Sequence, residues 1–336
     1  MRARLEPFRL ALAKVGLPAW FLITDLIWIV KPDVLGVDAR HYQRAADVWL
    51  AGGDPWSVTE FGVTYASGPH TLLFYAPTSL LPAQVSFAFW MGLGVLASIW
   101  LVRRLGAPLW WVAFPPLAHA ILNGNPQTIV LALLILGGPI AGALATGFKL
   151  YAAAALLTKP RVLAVAIVAL IVTLPIVPWQ LYVADGFGIG SHLNTAWNAS
   201  AWREPILVPP TLLALWILRR KGAEWYVVPA AWPATQFYYV SMVMPAVVKR
   251  PILAALLATP IVLMAPLVVM GLAAMEVRRQ GWRQALSVGV RSPTPAPTVP
   301  APTVPAPTAP ASTAPAPTAA SAPPAATPEP DPGPTT

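Results

Sequence analysis

The sequence predicts an all-α chain, a polytopic transmembrane helical bundle of about eight or nine membrane helices, some of them short or re-entrant. Three observations carry that expectation. Hydrophobic residues make up 57% of the chain and charged residues only 10%, where a soluble domain carries about a quarter charged. A water-facing surface needs those charges, whereas a lipid-facing one excludes them. Apolar runs recur at a length near the roughly twenty residues that cross a hydrocarbon core. Fifteen tryptophans add amphipathic rings that favour the headgroup level. The absence of cysteine excludes disulfides and thiolate metal sites. The net charge of +9 sits in short basic clusters between apolar runs, a pattern of topology determinants, so nucleic acid is not an expected partner.

The runs cover residues 11–30, 81–102, 108–122, 128–157, 162–183, 206–218, 225–248 and 252–275. The first is followed by Lys31-Pro32-Asp33 rather than a small-residue cleavage site, so it reads as a retained span. Residues 128–157 are too many for one simple span and suggest a short helix plus a re-entrant hairpin. Pro115-Pro116, Gly137-Gly138-Pro139, Pro175 and Pro178 interrupt other runs. Broken helices at membrane depth survive only where protein or a water-filled cavity satisfies the freed backbone groups. That pattern suits a protein built around an internal site.

Basic clusters set sidedness, because lysine and arginine stay on the cytoplasmic side. Arg2, Arg4, Arg9 and Lys14 place the N-terminus in the cytoplasm, and Arg103-Arg104, Lys159 with Arg161, Arg219-Arg220-Lys221 and Arg278-Arg279 mark later inner turns. Lys249-Arg250 is the exception. Two loops, 31–70 and 184–203, then lie outside, and the membrane part occupies residues 1–290. Residues 291–336 repeat Pro-Thr-Pro-Ala units with few side chains large enough to pack, so a disordered, polyproline-like tail is expected. It reads as a tether or as a dispensable low-complexity extension.

The first outer loop holds the densest polar chemistry. Residues 38–50 have the pattern of a short amphipathic helix, with Val37, Ala45, Val48 and Trp49 toward lipid or core and Arg40, Gln43, Arg44 and Asp47 toward water. Tyr42 follows Asp38 by four residues and shares its helix face. Gly52-Gly53-Asp54-Pro55-Trp56 ends the helix in a turn. A helix lying in the headgroups explains Arg40, Arg44 and Trp49 without any chemistry, but leaves Asp38 at its membrane-proximal start unexplained. Lys149 stands in an apolar, small-residue helix. An ionisable residue there marks either a functional site or a lysine snorkelling to the interface. Asp25, in the first span, either pairs with Lys149 or faces a cavity. His119 reads as structural. His41, His70 and His192 lack metal-ligand spacing, so no metal is indicated, although Asp38 with a histidine leaves a divalent ion open. Asn198-Ala199-Ser200 matches a glycosylation acceptor. A Rossmann glycine fingerprint or a paired-aspartate motif, as in soluble nucleotide-sugar transferases, is not found in the sequence.

The string Asp38-x-x-x-Tyr42-x-x-Ala45-Ala46 with Gly52-Gly53-Asp54-Pro55-Trp56 resembles the opening of glycosyltransferase family 87, also described as domain of unknown function 2029. This is a bacterial group of polytopic GT-C-fold enzymes. Trp56 stands where the family has tyrosine. Tyr65 to Pro69 with Pro77 is similar to the family's Tyr-x-Pro-Pro segment, and Asn123-Gly124-Asn125-Pro126-Gln127 to its turn between membrane helices. Residues 142–151 resemble its small-residue helix ending in Lys-x-x-Pro, with Ala152 in the proline's place. Asn194 to Ser200 and Trp232 to Tyr239 resemble its later outer loop and aromatic segment.

The resemblance implies transfer of a hexose, usually mannose, from a polyprenyl-phosphate sugar to a lipid or glycan acceptor outside a bacterial plasma membrane. It implies Asp38 as the catalytic carboxylate, acting as general base toward the acceptor or as stabiliser of positive charge at the anomeric carbon. Tyr42, Asn125, Gln127 and Tyr238 are carried over as substrate contacts. Lys149, Arg40, Arg44 and Arg203 are candidate partners for phosphate or sugar. The rival readings are a lipid or solute transporter, which broken helices and a buried lysine also suit, and a non-catalytic family member serving as a scaffold.

Overall fold

Long apolar runs cannot leave backbone amides unpaired away from water, so they fold as helices, and helix dominates this computed structural model. It describes residues 11–30, 35–60, 63–184 and 198–286, all within one compact unit that ends at Ser287. One two-residue antiparallel pairing, Thr59–Glu60 (β1) with Val63–Thr64 (β2), is the only sheet among those residues. The expected tail over 291–336, the N-terminal Arg2, Arg4 and Arg9, and residues 185–197 of the second loop lie outside the described residues.

α1 (Leu17–Thr24) is continued at both ends by π-helical turns, Leu12–Gly16 and Asp25–Ile29. Its fully buried Phe21 sits among Trp110, Trp111 and Phe114 at ring separations of 5.3–5.6 Å. α2 (Val37–Leu50) is the expected outer-loop helix, and α3 (Leu72–Ser79) packs along it. α4 (Ala83–Arg104) runs unbroken for 22 residues. Among the described residues it is the one helix long and apolar enough to cross a membrane. It buries Ser86, Trp90, Gly94 and Ser98, each four residues apart, and Leu101 and Val102 in its last turn, while Val85, Phe89, Val95 and Leu96 are exposed.

The remaining runs are broken. Residues 108–122 become a 3₁₀ turn (Leu109–Ala113) and α5 (Pro115–Asn123). α5 and α6 (Gln127–Leu136) meet at 119°, and the bent pair counts as a second span if read as one helix. α6, α7 (Pro139–Phe148) and α8 (Ala152–Ala155) replace the long run at 128–157. α6 and α7 fold into a helical hairpin about Gly137-Gly138, both at positive φ. α9 (Pro160–Val172) packs on α7, and α10 (Trp179–Ala184) follows. α11 (Val208–Ile217) packs on the last long helix, with Lys221 and Glu276 paired at 2.6 Å.

Two expected runs are corrected. Residues 225–248 form α12 (Val227–Ala231), a 3₁₀ segment (Phe237–Val243) and α13 (Met244–Val247), because Trp232, held extended ahead of Pro233, ends α12. Residues 252–275 divide into α14 (Pro251–Ala258) and α15 (Met264–Gln280), with Thr259 extended ahead of Pro260. A residue preceding proline is pushed out of the helical region, and both breaks follow from that.

Candidate functional site

Asp38 stands in the first turn of α2, where the unpaired N–H groups of a helix start favour a carboxylate. The Gly36 N–H donates to the Leu122 carbonyl at 2.6 Å, docking the start of α2 on the end of α5. Gly124 caps α5 at φ 66°. A Cβ there would lie 2.7 Å from the Ala39 Cβ and 2.9 Å from the Met91 Sδ, so only glycine lets the 123–127 turn come this close. That approach delivers Asn125, whose Nδ2 donates to Asp38 Oδ2 at 2.7 Å while its Oδ1 accepts from the Gln127 N–H at 2.9 Å. Gln127 is engaged on both sides, donating to Ser241 Oγ at 3.1 Å and accepting from the Tyr151 hydroxyl. Asn125 and Gln127, expected as substrate contacts, make these hydrogen bonds within the protein, and that of Asn125 orients the carboxylate.

Lys149 is not inside a helix, which corrects the expectation. α7 ends at Phe148, and Lys149 is its extended cap at φ −149°, ψ 119°. A cation at a helix C-terminus is favourably placed. Its side chain is buried (6% exposed). Nζ donates to the Tyr42 hydroxyl and to Ser67 Oγ, the latter at 3.1 Å, and Ser67 Oγ donates to the Tyr42 hydroxyl at 2.8 Å. The ammonium lies 4.7 Å from the Tyr42 ring centre and 5.9 Å from that of Tyr239, within cation–π range. Tyr42, one turn beyond Asp38, therefore brings the carboxylate and the lysine into one cluster. Burial pushes the Asp38 carboxyl above the ordinary carboxylate range, and the Asn125 hydrogen bond, the Lys149 charge and His41 offset only part of that.

Aromatic rings wall the cluster. Tyr42 stacks on Tyr75 at 4.9 Å and Tyr75 on Trp90 at 4.1 Å. On the other side Tyr239 meets Tyr151 and Tyr238, each at 4.7 Å. Tyr238, expected as a substrate contact, is buried between Tyr239 and His119.

No protein-family model matches the chain, and no curated protein or solved structure is significantly similar to it.

Several expected residues stand elsewhere. α2 turns Arg40 and Arg44 to its exposed side, where Arg40 donates to the Leu35 carbonyl at 2.8 Å and lies over the Phe87 ring. Arg203 is partly exposed on the 3₁₀ turn Ala201–Arg203. Gln43, expected to face water, points inward and accepts from Thr78 and Ser86 while donating to Ser79. Asp25 is buried with Oδ1 unpartnered, and it makes no ion pair with Lys149. Asp54 is a turn former, accepting from the Trp56 N–H at 3.0 Å. Asn198 is 1% exposed and its amide is spent on Pro233 and Ser200, so the sequon is a loop clip. Among the described residues no group of three His, Cys, Asp or Glu gathers to hold a metal.

Sequence reasoning missed Ser67, Tyr151, Tyr239 and Ser241. Tyr151, two residues after Lys149, was within reach of the motif at 142–151. Nothing around Ser67 in the sequence distinguishes it from a loop serine, since its role depends on a fold that carries it to Lys149.

Proposed function

We propose that this chain is a multi-pass membrane glycosyltransferase that moves a hexose, mannose in the first instance, from a polyprenyl-phosphate sugar to a lipid or envelope-glycan acceptor. The reading places it in a bacterial plasma membrane with its N-terminus in the cytoplasm. One observation carries it: a carboxylate braced by Asn125 and a buried lysine meet around Tyr42 although they come from distant parts of the chain. Placement of Asp38 and Lys149 on opposite sides of the membrane would have sunk this reading, and the Lys149 charge acts on Asp38 instead. The exposure of Val85, Phe89, Val95 and Leu96 on α4, with Ser86, Gly94 and Ser98 among the residues it buries, supports residence in lipid.

In this reading the acceptor hydroxyl oxygen attacks the anomeric carbon and the bond from that carbon to the phosphate oxygen breaks. Polyprenyl phosphate leaves with the bonding electron pair. Asp38 takes the hydroxyl proton, and its raised proton affinity makes it a stronger base than a solvated carboxylate. Lys149 spends two N–H groups on Tyr42 and Ser67, and its third is free to meet the developing phosphate charge. The Tyr42 hydroxyl accepts from both Lys149 and Ser67, so its own proton is directed at a third group. Donor lipid, acceptor and surrounding membrane lipids are the partners. No cofactor is assigned.

The test is transfer from radiolabelled polyprenyl-phosphate mannose in membrane fractions, with wild type against Asp38→Asn. The asparagine keeps the side-chain shape but cannot take a proton, so transfer should fall roughly 10²–10⁴-fold. Equal transfer by both proteins would remove Asp38 from the mechanism.

A further inference from the structure

Beside the Asp38–Lys149 cluster lies a buried polar face that the proposed chemistry does not use. The 3₁₀ turn Pro69–Thr71 packs on the last turn of α7, fixed by a hydrogen bond from Thr71 Oγ1 to the Phe148 carbonyl at 3.0 Å. This seats His70 against α7 with its ring stacked on Trp179 at 5.5 Å and only 1% exposed. One imidazole nitrogen faces only the Thr146 backbone and the other reaches no partner, and the fully buried Thr146 hydroxyl, three residues before Lys149, has none either. Nine-tenths or more of buried polar groups in folded proteins are paired. An imidazole nitrogen and a hydroxyl left over on two packed elements therefore mark a place where a polar partner belongs.

The chemistry of that partner can be narrowed. The Thr146 carbonyl lies beside the His70 ring, yet burial and the nearby Lys149 charge keep the imidazole neutral, its pKa lowered to about 3. A neutral imidazole offers one donor and one acceptor, and a hydroxyl offers both. The carbonyls ending α7 disfavour an anion beside Thr146, whereas the Lys149 ammonium draws one to its own side. Matched donors and acceptors without charge suit the hydroxyl groups of a sugar, not its phosphate. We infer that His70 and Thr146 form a subsite for the hydroxyls of the transferred sugar, adjoining the Lys149 side that faces the phosphate. The inference rests on the transferase reading and extends it to substrate recognition by residues outside the Asp38 network.

Two substitutions at His70 separate this role from mere packing. His70→Phe keeps a ring on Trp179 but has no nitrogen, whereas His70→Gln restores a donor and an acceptor. Binding of polyprenyl-phosphate mannose and of unglycosylated polyprenyl phosphate is measured on purified full-length protein in detergent, with thermal midpoints as the folding control. His70→Phe should weaken the mannosylated lipid roughly tenfold, the scale of a lost buried hydrogen bond, and leave the bare phosphate lipid unchanged. His70→Gln should recover most of that loss. Equal weakening of both lipids, or no change in either, overturns the subsite while leaving the transferase reading intact, the second result meaning that ordered water alone fills the face. Failure of the wild-type protein to bind either lipid overturns both.

Discussion

α4 and the α6–α7–α8 segment are both apolar in sequence, yet they solve the same physical problem in opposite ways. α4 satisfies every interior amide along 22 unbroken residues and exposes Val85, Phe89 and Leu96. The other segment breaks at Gly137-Gly138 and again at Lys149, leaving helices of 10, 10 and 4 residues. A broken helix leaves carbonyls and amides that need partners, and here neighbouring protein supplies them, as where Thr71 bonds to the Phe148 carbonyl. Continuous helix makes an outer wall. Interrupted helix makes an interior with polar side chains at its breaks, and Lys149 stands at one such break.

The contrast is sharpened most by removing the lysine from its break. Lys149→Met keeps the length and apolar stem while deleting the charge, so transfer from polyprenyl-phosphate mannose should fall roughly 10²–10³-fold. A residual rate within threefold of wild type would make Lys149 a structural plug. Next in size is a pH effect on folding. An unfolded histidine takes up its proton near pH 6.5, whereas His70 in the fold does so only near 3. Between those values the unfolded state binds the extra proton, and the His70 contribution to stability is lost as pH falls, at about 1.4 kcal/mol per pH unit. Thermal melts of wild type and His70→Phe from pH 7 to 4 should therefore converge or cross toward acid. Parallel curves would mean that His70 is not held neutral.

The wall can be broken too. Phe89→Asp puts a carboxylate on the exposed face of α4, at a cost of roughly 2.5–3.5 kcal/mol if that face meets hydrocarbon. Membrane-fraction yield should drop sharply, and an unchanged yield would place α4 outside lipid. The smallest effects compare glycines. Gly137, at φ 77°, has open space for a Cβ, so Gly137→Ala tests backbone strain alone and should destabilise by about 1–3 kcal/mol. Gly92, within helical α4 and equally unobstructed, should gain about 0.5–1 kcal/mol on Gly92→Ala. Melting midpoints moving the same way in both would erase the distinction between wall and interior.

Much of the backbone was legible because the punctuation is local. Pro115-Pro116 and Gly137-Gly138-Pro139 announce their breaks, and the Asp38–Leu50 pattern yields the amphipathic α2. The breaks at Trp232-Pro233 and Thr259-Pro260 carried the same proline signal, but uninterrupted apolar composition on both sides masked it. The candidate site was legible in part. Asp38, Tyr42 and Lys149 stood out as polar groups in poor surroundings. The facing of Gln43 was misjudged, and the bond from Asn125 to Asp38 was not foreseen, because amide side chains read alike whether they brace a neighbour or face solvent or ligand.

Composition and local punctuation are enough for an apolar helical chain, broken at named prolines and glycines, with a few charges where charge is costly. Local sterics and solvation decide such things, and both act over a few residues. Which charges meet depends on packing between distant elements. Gly124 had to admit the 123–127 turn against Ala39 before Asn125 could hold Asp38, and α7 had to end at Phe148 before Lys149 could turn toward Tyr42 and Ser67. Those meetings depend on close packing between elements far apart in the chain, and no local pattern encodes a contact whose two halves lie about a hundred residues apart.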